Sequence, residues 1–154
     1  MSVQRLHKVP RLVMLAAAGL LFADLFLGWQ EASSSTGMYV NATAGGWHGS
    51  GAIVGLLLMT VLVRDLLGVA GASTGLIVNV LIASGIVALT VARLQDSADT
   101  TIGLTTVAVG ANRWPAWVGL GLALILAAAA LVAFVLEFAV QKASKGGASR
   151  PAMP

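Results

Sequence analysis

Cysteine is missing altogether, which removes disulfides, thiolate metal sites and catalytic thiols from consideration. Charge is scarce as well: 10% of the 154 residues are Asp, Glu, Lys or Arg, where soluble domains carry about 25%. Aromatic residues amount to 6% with a single Tyr, so the 58% hydrophobic content rests on Ala, Leu and Val. With a mean hydropathy of +0.91, these shortages exclude an ordinary soluble domain and point to an all-α integral membrane protein. The 18 glycines and many alanines suit helices that approach one another closely in lipid. The net charge of +3 finds no basic stripe to act through, so nucleic acid is not expected as a partner.

What the chain does contain is four long apolar stretches, giving spans over about 12–29, 47–67, 74–93 and 115–141. From Arg11 to Trp29 a helix would cover roughly 27 Å, close to a bilayer's hydrocarbon thickness. Too long and too acidic for the apolar part of a signal peptide, it reads as the first span. Residues 1–11 form a basic cytoplasmic tail, and residues 142–154 a cytoplasmic tail expected to be disordered. Arg5, Lys8, Arg11, Arg64, Lys142, Lys145 and Arg150 then lie inside, while Arg93 and Arg113 lie outside. That asymmetry places both termini in the cytoplasm of a multi-pass cell-membrane protein. In the outer loops, the Thr/Val alternation before Asn112 predicts a strand, which could pair with Met38 to Val40 as a small β element.

Polar groups at membrane depth are costly, about 2.5–3.5 kcal/mol for a charged residue, and are expected to face protein or water. Asn79, Ala83, Ile86, Thr90 and Arg93 fall on one face of span three. Depth sorts the polar residues into an outer cluster of Asp24, His48, Thr90 and Arg93, and an inner one of Arg64, Asn79 and Glu137. Helix packing is expected through Gly51 and Gly55 of span two and Ala123, Ala127 and Ala130 of span four. Asp24 with Arg93 reads as an interhelical clasp, or alternatively as a proton- or ion-handling site. Arg64 with Glu137 reads as an anchor.

Catalysis finds little to work with. Ser33 to Ser35 lack a Gly-x-Ser-x-Gly context, no phosphate-loop pattern occurs, and His48 has no second ligand at metal-binding spacing. No enzyme activity, metal or cofactor is expected. FADLFLGWQ followed by GGWHGSGAIVGLL resembles small four-span membrane proteins of actinobacteria, which end their first helix in Phe-Leu-x-Trp and open the second with Gly-Trp. The resemblance implies the four-helix membrane fold and carries over no site residues. Claudin-like tetraspan proteins also carry a Trp in their first outer loop, but the paired loop cysteines are absent here. The expected function is an accessory or scaffold subunit in the lipid bilayer, held to a membrane-protein partner or to copies of itself. The alternative is a small oligomeric transporter or channel that uses the Asp24, His48 and Arg93 level.

Overall fold

A computed structural model of the chain describes residues 8–34, 42–47, 50–67, 73–95, 99–102 and 105–147. Four helices dominate it: α1 (Lys8–Asp24), α2 (Ser50–Leu66), α3 (Ser73–Gln95) and α4 (Trp114–Gly147). Four short strands join them: β1 (Gly28–Ser34), β2 (Ala42–Gly45), β3 (Asp99–Ile102) and β4 (Thr105–Asn112). The strands form one antiparallel sheet in the order β2-β1-β4-β3. Because β1 and β2 connect α1 to α2, and β3 and β4 connect α3 to α4, the whole sheet stands at one end of the bundle.

The helices form a ring. α1 packs on α2 and α4, α3 packs on the same two, and among the described residues the diagonal pairs α1 with α3 and α2 with α4 hardly meet. The short link from Leu66 to Ser73 makes α2 and α3 antiparallel neighbours, and the antiparallel pairs β1–β2 and β3–β4 return the chain to the bundle for α2 and α4. Leu21 of α1, Leu58 of α2, Ile86 of α3 and Leu126 of α4 are fully buried in the shared core. Beneath the sheet, Phe22, Phe26 and Trp47 stack edge to face with ring centroids 5.3–5.8 Å apart.

Within α3 and α4, the segments Gly75–Gln95 and Trp114–Lys142 are each long and apolar enough to cross a membrane. α1 and α2 have 17 residues each, which makes them about 25 Å long.

Several boundaries differ from those read in the sequence. The first helix closes at Asp24 instead of running to Trp29. The amides of Leu25, Phe26 and Leu27 bond back to Leu21, Ala23 and Asp24, and the chain then leaves as β1. Leu25 to Leu27 is continuously apolar, so no periodicity marked the turn. Residues 8–11, expected as tail, are already helical, and α4 carries residues 142–147 as helix. Residues 148–154 lie outside the described residues, as do Met38 to Val40. The Thr/Val alternation does form a strand, β4, and its partner on the inner side of the sheet is β1.

Candidate functional site

The richest polar arrangement lies where the bundle meets the sheet, and Trp29 is its centre. Its indole Nε1 donates to the Asp24 carbonyl at 3.0 Å, and the Leu27 amide donates to the same oxygen at 2.9 Å. Both bonds satisfy a carbonyl at the end of α1 that the helix itself leaves open. Trp29's own carbonyl accepts the Arg113 amide at 2.8 Å, which ties β1 to the start of α4. With 2% of its surface exposed, Trp29 is buried, whereas in the sequence it only closes the first apolar stretch.

The indole fits only because glycines face it. A Cβ at Gly119 would lie 2.5 Å from Trp29 Cζ2 and 2.8 Å from Asp24 Oδ2, closer than real Cβ contacts. The Asp24 carboxylate therefore faces Gly119 of α4 and the Trp29 ring. It is 5% exposed, and Oδ2 has no hydrogen-bond partner.

A second polar group holds the end of α3. Gln30 Nε2 donates to the Arg93 carbonyl at 3.3 Å and to Asn112 Oδ1 at 3.4 Å, and Asn112 Nδ2 donates to the Leu94 carbonyl at 2.8 Å. Gln30 and Asn112 stand opposite each other across β1 and β4, so the strand register places both amides over the last turn of α3. They supply the donors that a helix C-terminus needs when it is covered instead of solvated. Neither residue stood out in the sequence, because each lies in a polar loop stretch where Gln and Asn are ordinary. Only the long-range pairing of β1 with β4 makes them caps.

Removing either amide leaves a covered carbonyl without a donor, so Gln30→Ala and Asn112→Ala should each destabilise by about 1–2 kcal/mol. The double variant should lose less than the sum, since the two share one network. Equilibrium unfolding of the four-protein cycle checks this, and strict additivity would mean that the two act independently.

Among the described residues, the order of the helices sets Asp24 apart from Arg93. Asp24 belongs to α1 and Arg93 to α3, helices that face each other across the ring, and Asp24 turns to α4. Thr90 is buried and its hydroxyl donates to Ile86 within its own helix at 2.8 Å. His48 lies outside the described residues.

The inner set is divided in the same way. Arg64 of α2 and Glu137 of α4 sit on the other diagonal, and Arg64 Nη2 reaches the Gly75 carbonyl at 3.4 Å, bracing the turn into α3. Asn79 is 1% exposed, and neither its Oδ1 nor its Nδ2 has a hydrogen-bond partner. Depth and helical face were both readable, but the ring order that separates these residues was not.

Among the packing residues, Ala123 and Ala130 are buried in the core and Ala127 is packed against it. Gly51 and Gly55 are crowded by the chain just ahead of their own helix. A Cβ at Gly51 would meet the Gly46 carbonyl, and one at Gly55 would meet the Trp47 ring. The Gly51-x-x-x-Gly55 face thus receives the β2–α2 turn. Among the described residues no group of three His, Cys, Asp or Glu side chains could hold a metal ion.

No family model, curated protein or solved structure matches the chain.

Proposed function

We propose that the chain is a non-enzymatic four-span membrane protein with both termini cytoplasmic, acting as an accessory or scaffold subunit of a larger membrane complex or as a homo-oligomer. The observation that carries this is the outward apolar face on every helix. Leu12 and Leu20 on α1, Leu56 on α2, Leu81 on α3, and Leu131 and Phe138 on α4 are all more than half exposed. In water, apolar surface spread over a whole bundle would aggregate; in lipid it is the natural exterior. The 17-residue lengths of α1 and α2 are at the short end for a span, and their exposed leucines support counting them as spans. The seven-to-two division of basic residues supports the orientation, with the sheet outside.

Support for a scaffold role comes from how the polar side chains at the bundle–sheet junction are used. Gln30, Asn112 and the Trp29 indole are engaged in closing helix ends, which builds a rigid body with a lipid-facing exterior. Purification in a mild detergent, followed by size analysis and identification of co-purifying chains, is expected to return a discrete oligomer or a stable partner. A lone monomer would refute the scaffold reading, and a chain released from membranes by alkaline carbonate would refute the spans.

One observation favours a second reading, a small oligomeric transporter or channel. Asp24 Oδ2 is buried and has no partner, as a proton- or cation-binding oxygen would be between occupancies. Liposomes holding the natural chain or Asp24→Asn distinguish the two readings, because a transporter must show flux that the variant loses.

A further inference from the structure

Asn79 lies six residues into α3, about 9 Å from the helix start, at the end of the bundle away from the sheet. Its side chain is 1% exposed, and both atoms of its amide are without a hydrogen-bond partner. Buried amides are costly unless a donor or acceptor meets them, and inside a fold that partner is either protein or ordered water. The residues one turn to either side on the same face, Gly75 and Ala83, are both buried and are small, so they leave room beside the amide.

Arg64 of α2 reaches the same turn. Its Nη2 donates to the Gly75 carbonyl at 3.4 Å, the oxygen that the Asn79 backbone amide meets in the regular pairing of α3. Helical side chains lean toward the N-terminus of their helix and cover the preceding turn. The Asn79 amide therefore lies over the turn that Arg64 touches. Arg64 Nε is itself buried and has no partner. One N–H of arginine, the amide NH2 and the amide oxygen are thus gathered at the joint of two packed helices.

The chemistry of this set selects its ligand. At 1% exposure, Asn79 is out of reach of a lipid headgroup or of a side chain from another protein. A metal cation would suit Oδ1 but would stand against the guanidinium, and a halide would take the two donors but leave Oδ1 unmet. Water both donates and accepts, and a buried water makes about three hydrogen bonds, as many as the site offers.

We propose that Arg64 and Asn79 form a buried water site that bridges α2 to α3, with water accepting from Arg64 Nε and Asn79 Nδ2 and donating to Asn79 Oδ1. The site is independent of the choice between scaffold and transporter. It makes this joint wet, while the middle of the bundle, where Leu21, Leu58, Ile86 and Leu126 are fully buried, is apolar.

The test is nuclear magnetic resonance on the full-length perdeuterated chain in mild detergent, with the Asn79 side-chain amide assigned by its loss in Asn79→Leu. Cross-peaks between water and the Nδ2 protons are expected, with opposite signs in the laboratory and rotating frames, as for a long-lived bound water and unlike chemical exchange. They are expected to weaken in Arg64→Met, and equally in Arg64→Lys, which keeps the charge but has no Nε and serves if the first variant does not fold. Absence of the cross-peaks in the natural chain would overturn the proposal. So would cross-peaks unchanged in the Arg64 variants, or an Asn79 amide resonance that shifts when chloride is exchanged for bromide, which would mark a halide as the ligand.

Discussion

Trp29→Ala is expected to destabilise the protein by about 3–5 kcal/mol, the range for truncating a fully buried large aromatic. Three separate losses combine at this position. The ring's removal empties a space between Gly46 and Gly119 that neither glycine can refill. The Asp24 carbonyl loses its 3.0 Å indole donor at the end of α1. The strand that carries Trp29 is also the strand that ties the sheet to α4 through the Arg113 amide, so the loosening spreads to the junction of helix and sheet.

Gly119→Val approaches the same contact from the other side. Its first added carbon would stand 2.5 Å from the ring and 2.8 Å from Asp24 Oδ2, so the tryptophan or the helix must move. Overpacking of this kind costs about 1–3 kcal/mol. Combining the two substitutions should cost less than their sum, because alanine at 29 vacates the space that valine at 119 needs. Thermal and denaturant unfolding followed by circular dichroism in one fixed detergent measures all three proteins. A loss below about 1 kcal/mol for Trp29→Ala would show that Trp29 is not the packing centre described here.

The second large effect has the opposite sign. Asp24→Leu is expected to raise stability, by about 1–3 kcal/mol, because the carboxylate is buried with an oxygen that no donor meets. Leucine has nearly the same length, carries no polar atom, and sits among the Trp29 ring, Gly119 and the apolar end of α1 without a desolvation cost. Were Asp24 an interhelical clasp, the same substitution would destabilise, since it would strip a partner from Arg93 or another donor.

Unfolding of Asp24→Leu beside the natural chain therefore decides between a clasp and a carboxylate kept at a cost to the fold. A stabilised variant that also loses a function would mark Asp24 as a working group, in the usual exchange of stability for activity. Equal or lower stability would mean that Asp24 has a favourable partner in the folded protein.

Much of the architecture was legible in the chain because it follows from local chemistry. The apolar runs and the basic flanks of Arg11, Arg64 and Lys142 set the number and approximate position of the helices. The Thr/Val alternation at 105–109 marked β4. On α3, helical stepping placed Asn79, Ala83, Ile86 and Thr90 on one face, and all four are buried. Each of these signals is carried by residues of one continuous segment, where spacing alone determines what faces where.

The candidate site belonged to the other kind of information. Asp24, Arg93, Arg64 and Glu137 had readable depths, and depth suggested pairs, but each suggested pair lay across a diagonal of the ring. Pairing needs azimuth as well as height, and the azimuth of one helix relative to the next is fixed by packing between segments far apart in sequence. Trp29 shows the same limit: in the sequence it only closes an apolar stretch, and the approach of Gly46 and Gly119 from distant segments makes it a buried centre. Gln30 and Asn112, 82 residues apart, became caps for α3 only when β1 paired with β4.

By itself, then, the sequence determined an apolar helical chain with basic ends, since hydrophobicity and charge act residue by residue. The tertiary structure alone decided which polar groups meet and which glycines admit a ring, because each of these depends on two distant surfaces arriving at the same place.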